Sequence, residues 1–210
     1  MKRQLEMLQS AVTSIVGLLK GPEWHLVFQG VAGTGIKLYD LWTNPTWDSG
    51  SEDHGNYRNE SLYNAWNNAQ LNIKQVKLSL YDHTGVKAEL VFNGEDSDTL
   101  SWFAKERIVS SPWSDLTTTV TTNYFSIDGD VISGQHNERR FFINRIYGGC
   151  GVDRGWLVVV DLEGGCQWEQ TFSSYPVILY SPHNIAVKWD TSNGHTLGTA
   201  DYLTIHIITE

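Results

Sequence analysis

The chain has 210 residues, 15 basic against 24 acidic side chains and a formal net charge of −9. It holds no basic run to neutralise a phosphate backbone, which argues against nucleic acid as a partner, and its length fits one substantial core plus an appendage. Nine Trp, nine Tyr and nineteen Gly against two Met describe aromatic-rich strands joined by tight turns, a composition of extracellular β-domains more than of cytosolic enzymes.

Along the chain, residues 1–20 come first as an amphipathic helix. Leu5, Leu8, Val12, Ile15 and Leu19 recur at spacings of 3, 4, 3 and 4, with Lys2, Arg3, Glu6, Gln9, Ser10 and Ser14 on the other side. Gly21 and Pro22 stop it. The stripe must be buried on the body, on copies of the chain or in a membrane. Val16 and Leu18 widen it beyond a two-residue seam, and fewer than three heptads make a marginal coiled coil, so packing into a groove is favoured. Glu6, Gln9 and Thr13 interrupt any signal-peptide h-region, and no apolar run of membrane-spanning length follows. The expected organisation is therefore an assembly helix over 1–20 and one β-rich globular domain over 21–210.

Within that domain, Trp24 to Val31 reads as a first strand, Lys37–Trp42 and Ser61–Asn68 are ambiguous, and Asn44–Glu60 reads as loop. Val76, Leu78 and Leu80 alternate with polar residues, Asp82-His83-Thr84-Gly85 turns the chain, and Ala88, Leu90 and Phe92 alternate back, which predicts a hairpin with one dry face. Ser97–Ile108 has the pattern of a short helix capped by Ser97 or Asp98. Thr117–Ile127, Arg140–Asn144, Trp156–Leu162, Pro176–Ser181, Ile185–Trp189 and Tyr202–Ile208 complete about ten strands, the pattern of an antiparallel β-sandwich or barrel.

Cys150 and Cys166 each follow a Gly-Gly pair on either side of an apolar run, which predicts that two flexible loops are closed by a disulfide in an oxidising compartment; two free buried thiols are the alternative. Asn59-Glu60-Ser61 is a glycosylation sequon. Asp48, Glu52 and Asp53, and the Asp128-Gly129-Asp130 pair, offer hard oxygen ligands for Ca2+, although Asp and Gly are also what ordinary turns use. Trp42, Trp47 and Trp66 are candidates for stacking on a glycan or for anchoring an interface, against the default that Trp fills the core. Arg139, Arg140, Arg145 and Arg154 form a basic group that can attract an anion or the acidic loops of a second copy. The chain lacks GxSxG, HExxH and any P-loop, and its seven His are scattered, so no catalytic residues are assigned.

The motifs HLVFQGVAGTG, NYRN, LSWFAKERI, SSPWSDL, NYFSIDGD, RRFFIN, YGGCGVDRGW and GGCQWE resemble a family of secreted proteins of marine invertebrates such as molluscs and lancelets. The resemblance covers about Trp24 to the C-terminus and implies an extracellular animal protein, but brings no activity and no catalytic residues. The expectation is thus a secreted, non-catalytic protein that assembles with itself into a fibre or matrix. An oligomeric lectin and an actinoporin-like pore former are the alternatives, the latter opposed by the acidic surface, which anionic lipid repels.

Overall fold

The structure, a computed structural model, describes residues 23–45, 55–118, 124–132, 137–190 and 197–210. The expected helix with Leu5, Leu8, Val12, Ile15 and Leu19 lies outside them, as do Trp47, Asp48, Glu52 and Asp53.

The protein is mainly β, built on two open antiparallel sheets. The first has the order β2 (Tyr57–Arg58), β1 (His25–Val31), β13 (Tyr202–Thr209), β3 (Ile73–Asp82), β4 (Gly85–Asn93) and β5 (Ile108–Ser110). Its centre is the predicted hairpin. Asp82 Oδ1 accepts from Thr84 N at 2.7 Å and Gly85 takes φ +119°, which closes the turn. Leu80 then pairs with Ala88, Leu78 with Leu90 and Val76 with Phe92, all inward, while Lys77 and Glu89 lie on the opposite face.

The second sheet runs β12 (Gly198–Ala200), β10 (Val177–Tyr180), β9 (Arg154–Val160), β8 (Asn137–Ile146) and β6 (Phe125–Ser126). Two further strands, β11 (Val187–Lys188) and β7 (Asp130–Ile132), attach to β9 and β8. Unlike the first sheet, it is dry on both sides. Leu157, Val159, Ile178 and Tyr180 belong to a core shared with the first sheet, whereas Val158, Val160, Val177 and Leu179 belong to a second cluster with Phe142, Cys166, Trp168 and Trp189. The unbroken apolar runs of β9 and β10 follow from this, because a strand covered on both faces has no reason to alternate.

Two short helices sit at the margins, α1 (Leu38–Thr43) and α2 (Glu60–Asn67), settling the two ambiguous segments. The short β2, inside the stretch expected to be loop, carries the buried Arg58, which donates to the carbonyls of Leu41 and Trp42 at 2.8 Å and of Asn44 at 2.7 Å. A guanidinium thereby satisfies the C-terminal carbonyls of α1, where a cation is electrostatically favoured.

Ser97–Ile108 is not an α-helix. It contains turns, a 3-10 turn at Lys105–Arg107 and the start of β5. Its carbonyls are committed elsewhere: Ser97 O accepts from Trp66 Nε1 at 2.9 Å, and Thr99 O accepts from the indoles of Trp42 and Trp102 at 2.8 and 3.1 Å. Asp98 caps as expected, but only a local turn, through Leu100 N and Ser101 N.

Candidate functional site

Residues expected to do chemistry at the surface are largely turned inward. Trp42 and Trp66 are 0% and 1% exposed and stand in a run of packed rings, Phe28 to Trp42 at 5.3 Å, Trp42 to Trp66 and Trp66 to Trp102 each at 6.2 Å. Reading them as open stacking platforms or interface anchors is corrected: the first shared core takes them, for the large apolar area each removes from water. Asn59 is the N-cap of α2, its Oδ1 accepting from Leu62 N at 3.1 Å, so the sequon occupies a helix start.

The predicted disulfide is present, Cys150 to Cys166 with Cα atoms 5.3 Å apart. Around it lies a buried cluster of charge, three of the buried ionisable side chains among the described residues. Arg139 reaches Glu169 through two bonds, Nε to Oε1 at 2.7 Å and Nη2 to Oε2 at 3.1 Å, and Asp153 Oδ2 through Nη1 at 3.3 Å. All three side chains are 1% exposed or less. Arg139 Nη2 also meets Cys166 Sγ at 3.1 Å, and the guanidinium lies over the Trp168 ring at 4.8 Å. Burial opposes the charge on Arg139 most strongly, but Glu169, Tyr147 and Asp153 together outweigh it and hold the pKa above the ordinary arginine value.

The carboxylates are satisfied from the loops. Glu169 Oε2 accepts from Cys166 N at 2.9 Å, and Asp153 Oδ1 accepts from the N–H groups of Gly148 and Gly149, each at 3.1 Å. A Cβ on Gly164 would fall 2.4 Å from the Glu169 carboxylate, which explains glycine there. The Gly-Gly-Cys loops are thus gathered by one buried salt-bridged cluster as well as by the covalent bond. Its geometry leaves Arg139 bound to carboxylates of its own chain, which corrects its expected place in a surface anion-binding group. Arg140 stacks on Tyr39 at 3.7 Å and donates to Asp128 O, and Arg145 meets Asp115 at 3.5 Å, so these two are also engaged, while Arg154 is exposed.

Asp128 and Asp130 serve different partners. Asp128 accepts from the Tyr39 hydroxyl at 2.6 Å; Asp130 accepts from the Tyr124 hydroxyl at 3.3 Å and from that of Tyr147. The turn between them is held tight by Gly129, where a Cβ would strike Arg139 O. No group of three or more His, Cys, Asp or Glu is placed to hold a metal among the described residues.

Asp161 and Asp115 were not flagged by the sequence. Asp161, at the end of β9 and 2% exposed, accepts from Leu38 N at 2.8 Å and Tyr39 N at 3.0 Å and so holds the N-terminus of α1. Burial, only partly offset by those two N–H groups, pushes its pKa up to about 7. Lys37 to Glu138 at 2.8 Å ties the same corner. Asp115 accepts from Trp156 Nε1 at 2.7 Å and from Ala186 N at 3.1 Å. The signal for Asp161 is an acid that breaks an apolar run; for Asp115 no sequence signal is apparent.

Comparison with family models, with curated proteins and with solved structures finds no match.

Proposed function

We propose that the chain is a secreted, non-catalytic structural protein, a β-sandwich whose copies join through the apolar stripe of residues 1–20 into an extracellular fibre or matrix. The observation that supports this reading best is how the sheets end. Among the described residues the outermost strands are two or three residues long: β2 and β5 on the first sheet, β12 and β6 on the second. Short edges offer little backbone for edge-to-edge pairing. Association then needs a dedicated element, and Leu5, Leu8, Val12, Ile15 and Leu19 provide one in the sequence. Burying five such side chains contributes on the order of 8–15 kcal/mol before entropic costs, at about 1.5–3 kcal/mol each.

The interior supports the same reading from another side. A subunit that bears load needs a body that does not open, and here a disulfide and a buried ionic cluster brace the sheet that is dry on both faces. The disulfide is compatible with an oxidising, extracellular setting, and no helix among the described residues is long and apolar enough to cross a membrane. Electron microscopy of the full chain tests the proposal. Regular fibres or sheets are the expected result; dispersed single subunits across a wide concentration range would overturn it.

A further inference from the structure

At one end of the first sheet, a cavity of about 660 Å³ opens between the C-terminal end of α2, the start of β3 and the loop after β4. We propose that this cavity is a binding site for a neutral carbohydrate, and that it works independently of assembly through residues 1–20.

Its lining has two characters. Trp66, Ile73 and Gly94 are buried and Leu71 is half-buried, giving an apolar base; Trp66 donates its indole N–H to Ser97 O, so Leu71 offers the accessible apolar surface. Around them stand amides and carboxylates, Asn67, Gln70, Asn72, Asp96 and Asp98. Several of these are already oriented by the protein. Asn67 Oδ1 accepts from Thr99 Oγ1 at 3.0 Å, which leaves its Nδ2 as a donor. Asn72 donates Nδ2 to Glu210, which leaves Oδ1 as an acceptor. Asp98 Oδ1 accepts from Leu100 N at 2.9 Å and Ser101 N at 2.7 Å, which fixes the carboxylate in the turn. Burial opposes its ionisation most, but the bonds from Ser101 and Leu100 together outweigh it and keep Asp98 below the usual carboxylate range.

Ordering these groups beforehand lowers the entropic cost of binding. Two further features shape the mouth: Ala69 and Asp96, both lining it, hold left-handed backbone at φ +54° and +52°, a conformation that non-glycine residues seldom adopt.

The chemistry selects the ligand class. Two carboxylates and no cationic side chain line the cavity; of the nearby cations, Lys74 is paired with Glu95 and Glu210, and Arg107 donates to the carbonyls of Asn93, Glu95 and Asp96. With two carboxylates and no cation in the lining, phosphate, sulfate and sialic acid are disfavoured. A neutral sugar presents vicinal hydroxyls that donate to carboxylates and accept from amides, and a C–H face that rests on aliphatic side chains. The volume lies in the range of small-molecule sites.

The test is an array of neutral and sialylated or sulfated oligosaccharides probed with the full chain, followed by titration calorimetry with the best neutral binder. Gln70→Ala and Asp96→Asn are the variants, since both positions are exposed and Asn tolerates left-handed backbone as Asp does. Saturable binding of a neutral glycan, weakened at least tenfold in either variant with sedimentation unchanged, is the expected result. Absence of any glycan binding would overturn the proposal. So would preference for acidic glycans, binding of Ca2+ or a polyamine in place of sugar, or glycan binding that both variants leave intact.

Discussion

The two sheets meet in one core but are stabilised differently. The first is held by repetition: inward Val76, Leu78, Leu80, Leu203, Ile205 and Ile207 in register, with charged residues on the wet face. The second has no wet face, and its outer cluster is closed by loops with little regular structure. Those loops are fixed instead by Cys150–Cys166 and by Arg139 with Glu169 and Asp153. A sheet with one dry face needs only the hydrophobic pattern. A sheet with two needs its cover held down, and here charge and covalent linkage do that.

The largest effect should come from breaking the cover at its ionic centre. Arg139→Ala strands Glu169 and Asp153 in the interior, and removing one partner of a buried ion pair typically costs about 3–5 kcal/mol. Denaturant unfolding should report that loss, and Arg139→Met combined with Glu169→Leu should recover part of it. A loss under about 1 kcal/mol for Arg139→Ala would mean that the cluster does not hold the cover. In the first sheet the comparable loss comes from volume alone. Leu78→Ala should cost about 2–5 kcal/mol through lost burial and the cavity left behind, with the midpoint falling and the denaturant slope unchanged.

Removing the disulfide should cost less than removing Arg139. Replacing both cysteines by serine opens a loop worth ~3 kcal/mol in the chain-entropy model, and the ionic cluster remains to hold the same loops. Thermal melts of the reduced and oxidised protein measure it, while peptide mapping that recovered both thiols free from the native protein would contradict the pairing.

How far the sequence carried differs between the sheets in the same way. Alternation made β3, β4 and their turn legible, and the paired Gly-Gly-Cys loops made the disulfide legible. The Arg139 cluster was not, because Glu169 and Asp153 are remote from Arg139 in the chain and nothing local marks a carboxylate as buried. Ser97–Ile108 misled for a related reason: its apolar spacing is helical, but three indole N–H groups from Trp42, Trp66 and Trp102 take the carbonyls of Ser97 and Thr99. The same burial removed Trp42 and Trp66 as surface platforms, while the amides and acids of the cavity beside α2 lie on two separate segments and form no motif.

A pH-dependent effect belongs to the corner that joins the sheets. Asp161 holds α1, and because burial raises its folded pKa to about 7, the native state binds this proton more tightly than the unfolded chain does. Its contribution is fully present below the unfolded carboxylate pKa of about 4 and is lost as pH rises through about 7. Asp161→Asn removes that titration, so the melting temperature of the variant should gain on that of the parent between pH 4 and pH 8. A difference that stays constant over this interval would show that Asp161 is ionised throughout.

Sedimentation velocity of the full chain beside its Leu8→Glu, Val12→Glu variant tests the assembly account most directly. The parent should sediment as a species many times the mass of one chain, and the variant as a folded single chain with an unchanged thermal melt. An identical mass for the two, whether large or small, would contradict the claim that the stripe joins the copies.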